Sequence, residues 1–118
     1  NMFKMYRQKA QFASIKYNGN NVEEIKEFLS CINDYILQDL KDRKILIKYS
    51  FNIKMSSTMT LDNGDKVILL YTKPETTEMF VRKGSYILFN PKNHEISSLP
   101  EQRFNELYEE DKTVNLYD

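Results

Sequence analysis

At Ile45 the hydrophobic period of this chain changes, and that change limits the folds open to it more than any other feature. Upstream, Val22, Ile25, Phe28, Leu29 and Ile32 recur at three- and four-residue spacing, the pattern of a helix with one buried face. Tyr35, Ile36 and Leu40 extend the stripe toward residue 42. Downstream, Ile45, Ile47, Tyr49, Phe51, Ile53 and Met55 alternate with Leu46, Lys48, Ser50, Asn52 and Lys54, which is the period of a strand with one wet face. A helix followed at once by such a strand calls for a helix layered on a sheet.

The flanking segments add to that sheet. Residues 10–17 carry aromatic and β-branched side chains and stop at Asn18-Gly19, a turn dipeptide, so they read as a first strand. Asn21 and Glu24 have the spacing of a capping box at the start of the helix. Thr58–Leu61 and Lys66–Thr72 flank Asp62-Asn63-Gly64-Asp65 and should form an antiparallel hairpin. Met79–Arg82 and Ser85–Phe89 flank Lys83-Gly84, and Asn90-Pro91-Lys92-Asn93 turns the chain toward a short strand near His94–Ser97. Ser98 and Glu101, around Pro100, have the spacing of a second capping box, ahead of a last helix that turns Phe104, Leu107 and Tyr108 inward. The expected fold is α+β: a mainly antiparallel sheet, a helix after the first strand, and a short C-terminal helix.

Size and charge set further bounds. With 118 residues, area scaling buries about two-thirds of the unfolded surface, enough for one core without disulfides or a structural metal. One domain is expected over 1–118, with Asn1, ahead of Met2, set aside as a cloning remnant. The longest apolar run, Val67 to Tyr71, is far short of the roughly 20 residues that cross a bilayer, and Gln11 and Ser14 interrupt any signal-like start. A lone cysteine, Cys31, fits a reducing compartment, so the cytoplasm is the expected location and no membrane partner is expected. The 17 basic and 17 acidic side chains cancel, which argues against general nucleic-acid binding. The charge is polarised, however. Lys4, Arg7, Lys9 and Lys16 stand at one end, and Glu101, Glu106, Glu109, Glu110, Asp111 and Asp118 dominate the other. Solvated faces lying near each other are the plainer reading, and an acidic surface that imitates nucleic acid is the sharper one.

Catalytic and metal motifs are missing. One His and one Cys do not make a zinc site, and Gly19, Gly64 and Gly84 are too dispersed for a phosphate loop, so no catalytic residue, cofactor or metal is assigned. Cys31 and His94 could act as nucleophile and base only if folding joined them; a half-buried helix Cys and a turn His are the plainer reading. Adjacent carboxylates, Glu23 with Glu24 and Glu109 with Glu110, point apart on a helix and read as solvated. The aromatics suggest more. Tyr49 and Phe51 share a strand face, and Phe80, Tyr86 and Phe89 lie on neighbouring strands. If exposed, they could stack bases or anchor a partner; otherwise they are core.

Two segments together resemble a known family. Tyr6-Arg7-Gln8-Lys9-Ala10 leads to Ile15-Lys16-Tyr17-Asn18-Gly19, and Val81-Arg82-Lys83-Gly84-Ser85-Tyr86-Ile87 precedes Phe104-Asn105-Glu106-Leu107-Tyr108-Glu109-Glu110. The pair resembles the phage and prophage PGDYG family of small proteins over about residues 5–29 and 78–110. Ala10 and Lys83 stand where that family has Pro, and Ser85 where it has Asp, while the Gly84, Tyr86 and Ile87 core of the motif is kept. A Gly that permits a turn and a Tyr that packs serve folding, so Gly84, Tyr86 and Ile87 read as structural.

The resemblance implies phage origin and leaves the biochemical role open. The resulting expectation is an accessory protein that binds a bacterial host protein, such as an inhibitor of a defence component of the CRISPR-effector kind, through Tyr49, Phe51, Tyr86, Glu109 and Glu110. Sequestration of a nucleotide signal between protomers, with aromatic faces on the base and Lys or Arg on phosphates, is the alternative; a small enzyme using Cys31 or a carboxylate constellation is a third. A homo-oligomer is also expected, with the Ile45–Met55 edge as the contributor.

Overall fold

The computed structural model describes residues 4–5, 11–45, 52–73 and 77–112. Within them the order is β1 (Ala13–Lys16), α1 (Val22–Asp42), β2 (Asn52–Thr60), β3 (Lys66–Lys73), β4 (Thr77–Arg82), β5 (Ser85–Phe89), β6 (Ile96–Pro100) and α2 (Glu101–Leu107). The α+β expectation holds, and the strands divide into two antiparallel three-stranded sheets, ordered β1-β5-β6 and β2-β3-β4. For brevity these are sheet A and sheet B.

The α1 stripe buries Ile25, Leu29, Ile32 and Ile36 in a core shared with Ile53, Ile68, Leu70 and Val81 of sheet B and with Tyr17, Ile87 and Phe89. Full burial of one such aliphatic side chain contributes about 1.5–3 kcal/mol, so this stripe is the main tie between the two sheets. At its start the expected capping box does not form. Asn21 instead accepts from the Asn18 N–H (2.9 Å) and donates to the Lys16 carbonyl (2.8 Å), pinning the turn between β1 and α1. Glu23 and Glu24 then meet the positive end of the helix dipole. Lys44, at φ 57°, closes the other end as a Schellman motif: the Lys44 N–H bonds the Lys41 carbonyl and the Ile45 N–H bonds the Leu40 carbonyl, each at 3.0 Å.

The helix therefore runs to Asp42, the end the stripe suggested. Of the alternating run, residues 46–51 lie outside the described residues, including Tyr49 and Phe51. The described part of the strand carries on past Met55 to Thr60, through a bulge between Met55 and Ser57 that shifts its register against β3. The hairpin at Asp62–Asp65 forms as expected, closed by the Leu61 N–H on the Asp65 carbonyl at 2.8 Å.

At Lys83-Gly84 the chain does not turn back into a hairpin but changes sheets. The Lys83 N–H bonds the Lys66 carbonyl in sheet B (2.9 Å), and the next N–H, that of Gly84, bonds the Tyr17 carbonyl beside sheet A (2.7 Å). Two consecutive residues can serve two sheets only across a sharp bend, and Gly84 supplies it at φ 92°. The second capping box is also replaced: Ser98 lies within β6, and Pro100, still extended at ψ 150°, is the residue before α2, with no side-chain cap.

Candidate functional site

Side chains alternate across sheet A, so Ile87 and Phe89 enter the α1 core while Tyr86 and Leu88 face the other way. In register with them on that outer face are Lys16 and Ser14 of β1 and Leu99 and Ser97 of β6. Leu88 is buried there, outside the α1 core cluster, because α2 packs over this face. The Phe104 ring lies parallel on Tyr86, with centroids 3.8 Å apart. Tyr108 continues the stack at 5.3 Å from Phe104, and Phe12 meets Tyr108 edge-on at 5.1 Å. Each such pair is worth about 0.5–1.5 kcal/mol beyond area burial, and a seven-residue helix with no buried residue needs that support to persist.

Charge completes the clasp. Lys16 Nζ pairs with the Glu101 carboxylate at the start of α2, and Gln11 Nε2 donates to Asp111 at 2.6 Å. Among the described residues, Lys16 of the basic N-terminal region thus meets Glu101 of the acidic C-terminal region; Arg7, Lys9 and Asp118 lie outside them. The hydrogen bond to Glu101 holds the Lys16 ammonium above its ordinary value, and burial pushes the neighbouring Tyr17 phenol up. Outward from this clasp the surface is acidic: Arg103 engages Glu106 at 3.0 Å, Lys112 sits 3.9 Å from Glu110, and Glu109 is exposed. Among these charges Leu107 stands 51% exposed, contrary to the inward orientation expected of it. Phe104 stacks on Tyr86 and Tyr108 on Phe104, whereas Leu107, the last residue of α2 before the extended Tyr108, is left on the solvent side.

Of the sequence-derived site residues, Tyr86 lies against Phe104 on this surface, and Glu109 and Glu110 are exposed just beyond Tyr108 in the chain. Tyr49 and Phe51 lie outside the described residues. Gly84 is the sheet-changing bend, and Ile87 is core. The remaining aromatics separate: Phe89 is fully buried against α1, while Phe80 is 56% exposed on sheet B. They do not form one exposed set. Phe12, Phe104 and the Lys16–Glu101 pair were not among the sequence-derived site residues; the spacing of Phe104 and Tyr108 was the available signal, read only as packing.

Two other polar arrangements bear on function. His94, at φ 63°, places Nε2 2.6 Å from the Asp39 carboxylate, which also takes Arg43 Nε at 3.2 Å. Asp39 lies eight residues beyond Cys31 on α1, about 12 Å along the axis, so His94 is engaged well away from the Cys31 turn and the nucleophile–base pair is not assembled. The second is an open groove of about 350 Å³ between α1 and β2, floored by Leu29, Ile53 and Met55. Among the described residues that line it, the one lysine, Lys26, is 3.4 Å from Glu23 and none is aromatic.

Among the described residues no three His, Cys, Asp or Glu side chains are grouped to hold a metal, and no helix is long and apolar enough to cross a membrane. Compared with protein-family models, curated proteins and solved structures, the chain matches none.

Proposed function

We propose that this chain is a phage- or prophage-encoded accessory protein that works in the bacterial cytoplasm by binding and inhibiting a host protein, with a defence component of the CRISPR-effector kind as the target class. The observation that carries the binding reading is the α2 surface, where an exposed Leu107 stands in the chain among the exposed Glu106, Glu109 and Glu110, next to the Tyr86–Phe104–Tyr108 stack. An apolar centre with a charged rim on a preorganised support is the anatomy of a protein interface, and the acidic rim steers a basic partner toward it. The motif resemblance around Gly84-Ser85-Tyr86-Ile87 and Phe104–Glu110 supports the provenance.

Base stacking finds less support. Tyr86 and Phe104 already occupy one another's faces at 3.8 Å, and a base inserted between them needs about twice that spacing. The test is capture of partners from host lysate on wild-type protein and on a Leu107→Ala, Glu109→Lys, Glu110→Lys variant of unchanged melting temperature, alongside phage-infection and CRISPR-interference assays. The expected result is a partner retained by wild type, lost by the variant, and an inhibition that follows the same pattern. No enriched partner together with unaltered infection and interference overturns the reading.

A further inference from the structure

We infer that two copies of this chain pair through the open edge of β4, antiparallel about a two-fold axis at Phe80, with Glu78 of each facing the partner's Arg82. β4 is the last strand of sheet B, hydrogen-bonded on one side only, to β3. The Lys83 N–H bonds the Lys66 carbonyl directly opposite it, and in an antiparallel ladder such pairs alternate. Val81 and Met79, paired with Ile68 and Leu70, therefore carry the ladder to β3, and the N–H and C=O groups of Arg82, Phe80 and Glu78 point away from it.

The same three residues share a face. Met79 and Val81 belong to the α1 side of the sheet, so Glu78, Phe80 and Arg82 project from the opposite side, alongside Tyr71, Leu69 and Val67 of β3. On that face Val67 is buried and Leu69 and Tyr71 are half-buried, whereas Phe80 is 56% exposed at the middle of β4, with a negative charge two residues before it and a positive charge two residues after. Among the described residues neither Glu78 nor Arg82 has an ion pair, and no further hydrogen bond reaches the outward backbone groups of β4.

An acid, an aromatic and a base at alternate positions form a self-complementary pattern. Laid antiparallel on its own copy, centred on Phe80, each facing pair exchanges both backbone bonds. The two Phe80 rings meet on one face, and both charges find opposite partners. No other strand edge in the described residues has this symmetry: Asn33 takes both the N–H and the C=O of Ile53 on the outer edge of β2, and the adjacent bulge interrupts that edge. The occupant is thus a second copy of this chain. The inference is independent of the α2 surface, which lies on sheet A.

Analytical ultracentrifugation from about 1 µM to about 500 µM tests it, over the range where a small strand-edge interface dissociates. Wild type should pass from one-chain to two-chain mass within this range. Glu78→Arg and Arg82→Glu should each weaken the dimer roughly tenfold to hundredfold, because each sets like charges opposite one another twice. Mixed in equal amounts, the two variants should restore two-chain mass, since each then carries the charge the other lacks. Circular dichroism of each variant checks that the monomer remains folded. A constant one-chain mass for wild type, dimers undiminished in both variants, or a mixture that stays monomeric would each overturn the pairing.

Discussion

Replacing Asn33 with Ala removes a side chain that closes the outer edge of β2 onto α1. Asn33 Oδ1 accepts from the Ile53 N–H and Nδ2 donates to the Ile53 carbonyl, both at 2.9 Å, so the amide takes the place of a neighbouring strand. Ile53 itself is 1% exposed, in the core beneath. Two net hydrogen bonds are worth about 1 kcal/mol each, and two backbone groups left facing α1 add a desolvation penalty, which water entering the open groove partly relieves. The expected cost is about 2–3 kcal/mol. In urea, with a slope of about 1.5–2 kcal/mol per molar, the unfolding midpoint falls by about 1–2 M at unchanged slope. Hydrogen exchange at the Ile53 amide should accelerate at the same time. Ser30→Ala, one turn away and exposed, is the control and should stay within about 0.5 kcal/mol of wild type. A loss below about 0.5 kcal/mol for Asn33→Ala, with Ile53 exchange unaltered, would show that water satisfies this edge without cost and that Asn33 does not guard it.

Phe104→Ala removes the ring that joins Tyr86 to Tyr108 and should cost about 2 kcal/mol, less than for a fully buried Phe, with helical circular dichroism lost as α2 frays. His94→Ala and His94→Asn both lose the 2.6 Å bond to Asp39, but Asn tolerates the φ of 63° and Ala does not. His94→Asn should therefore be the more stable of the two by about 1 kcal/mol in thermal melts, and equal melting temperatures would count against a backbone cost at this position. Stability should also fall on the alkaline side. Lys16 and Tyr17 have ordinary values of 10.5 and 10.0 and are both raised in the folded chain. Above about pH 10 the unfolded chain releases these protons first, so it binds fewer than the folded chain and the unfolding free energy drops as pH rises. Lys16→Met should flatten part of that decline, and a pH profile identical to wild type would refute the Lys16 contribution.

The helix was legible because its cause is local. Ile25, Leu29, Ile32 and Ile36 hold one stripe whatever surrounds them, and the structure ends α1 at Asp42 where that stripe runs out. The caps were less legible. Asn21 and Ser98 have the right chemistry at the right spacing, but other partners compete for it: the preceding turn, through Asn18 and Lys16, takes the Asn21 amide, and the β5 ladder takes Ser98 into a strand. The division into two sheets left almost no local mark, because the alternation in β4 and β5 is the same whether they pair with each other or with strands elsewhere. Gly84 marked a bend without saying which ladder each side of it joins.

The same distinction explains the surfaces. Tyr86 and Leu88 alternate correctly for a face turned away from α1, but only the return of α2 over sheet A makes that face a second, smaller core instead of an exposed aromatic patch. With α2 placed by the Phe104–Tyr86 stack, Glu106, Glu109 and Glu110 stay exposed, and so does Leu107 beside them in the chain. Sheet B has no helix over its outer face among the described residues, and there the alternation of β4 keeps an unburied aromatic between opposite charges. One sheet meets its need for cover within the chain, through a short helix held by ring stacking. The other presents a face and an edge whose charge order fits its own copy, so the way each sheet is covered determines which surface is left for a different partner and which for a second copy.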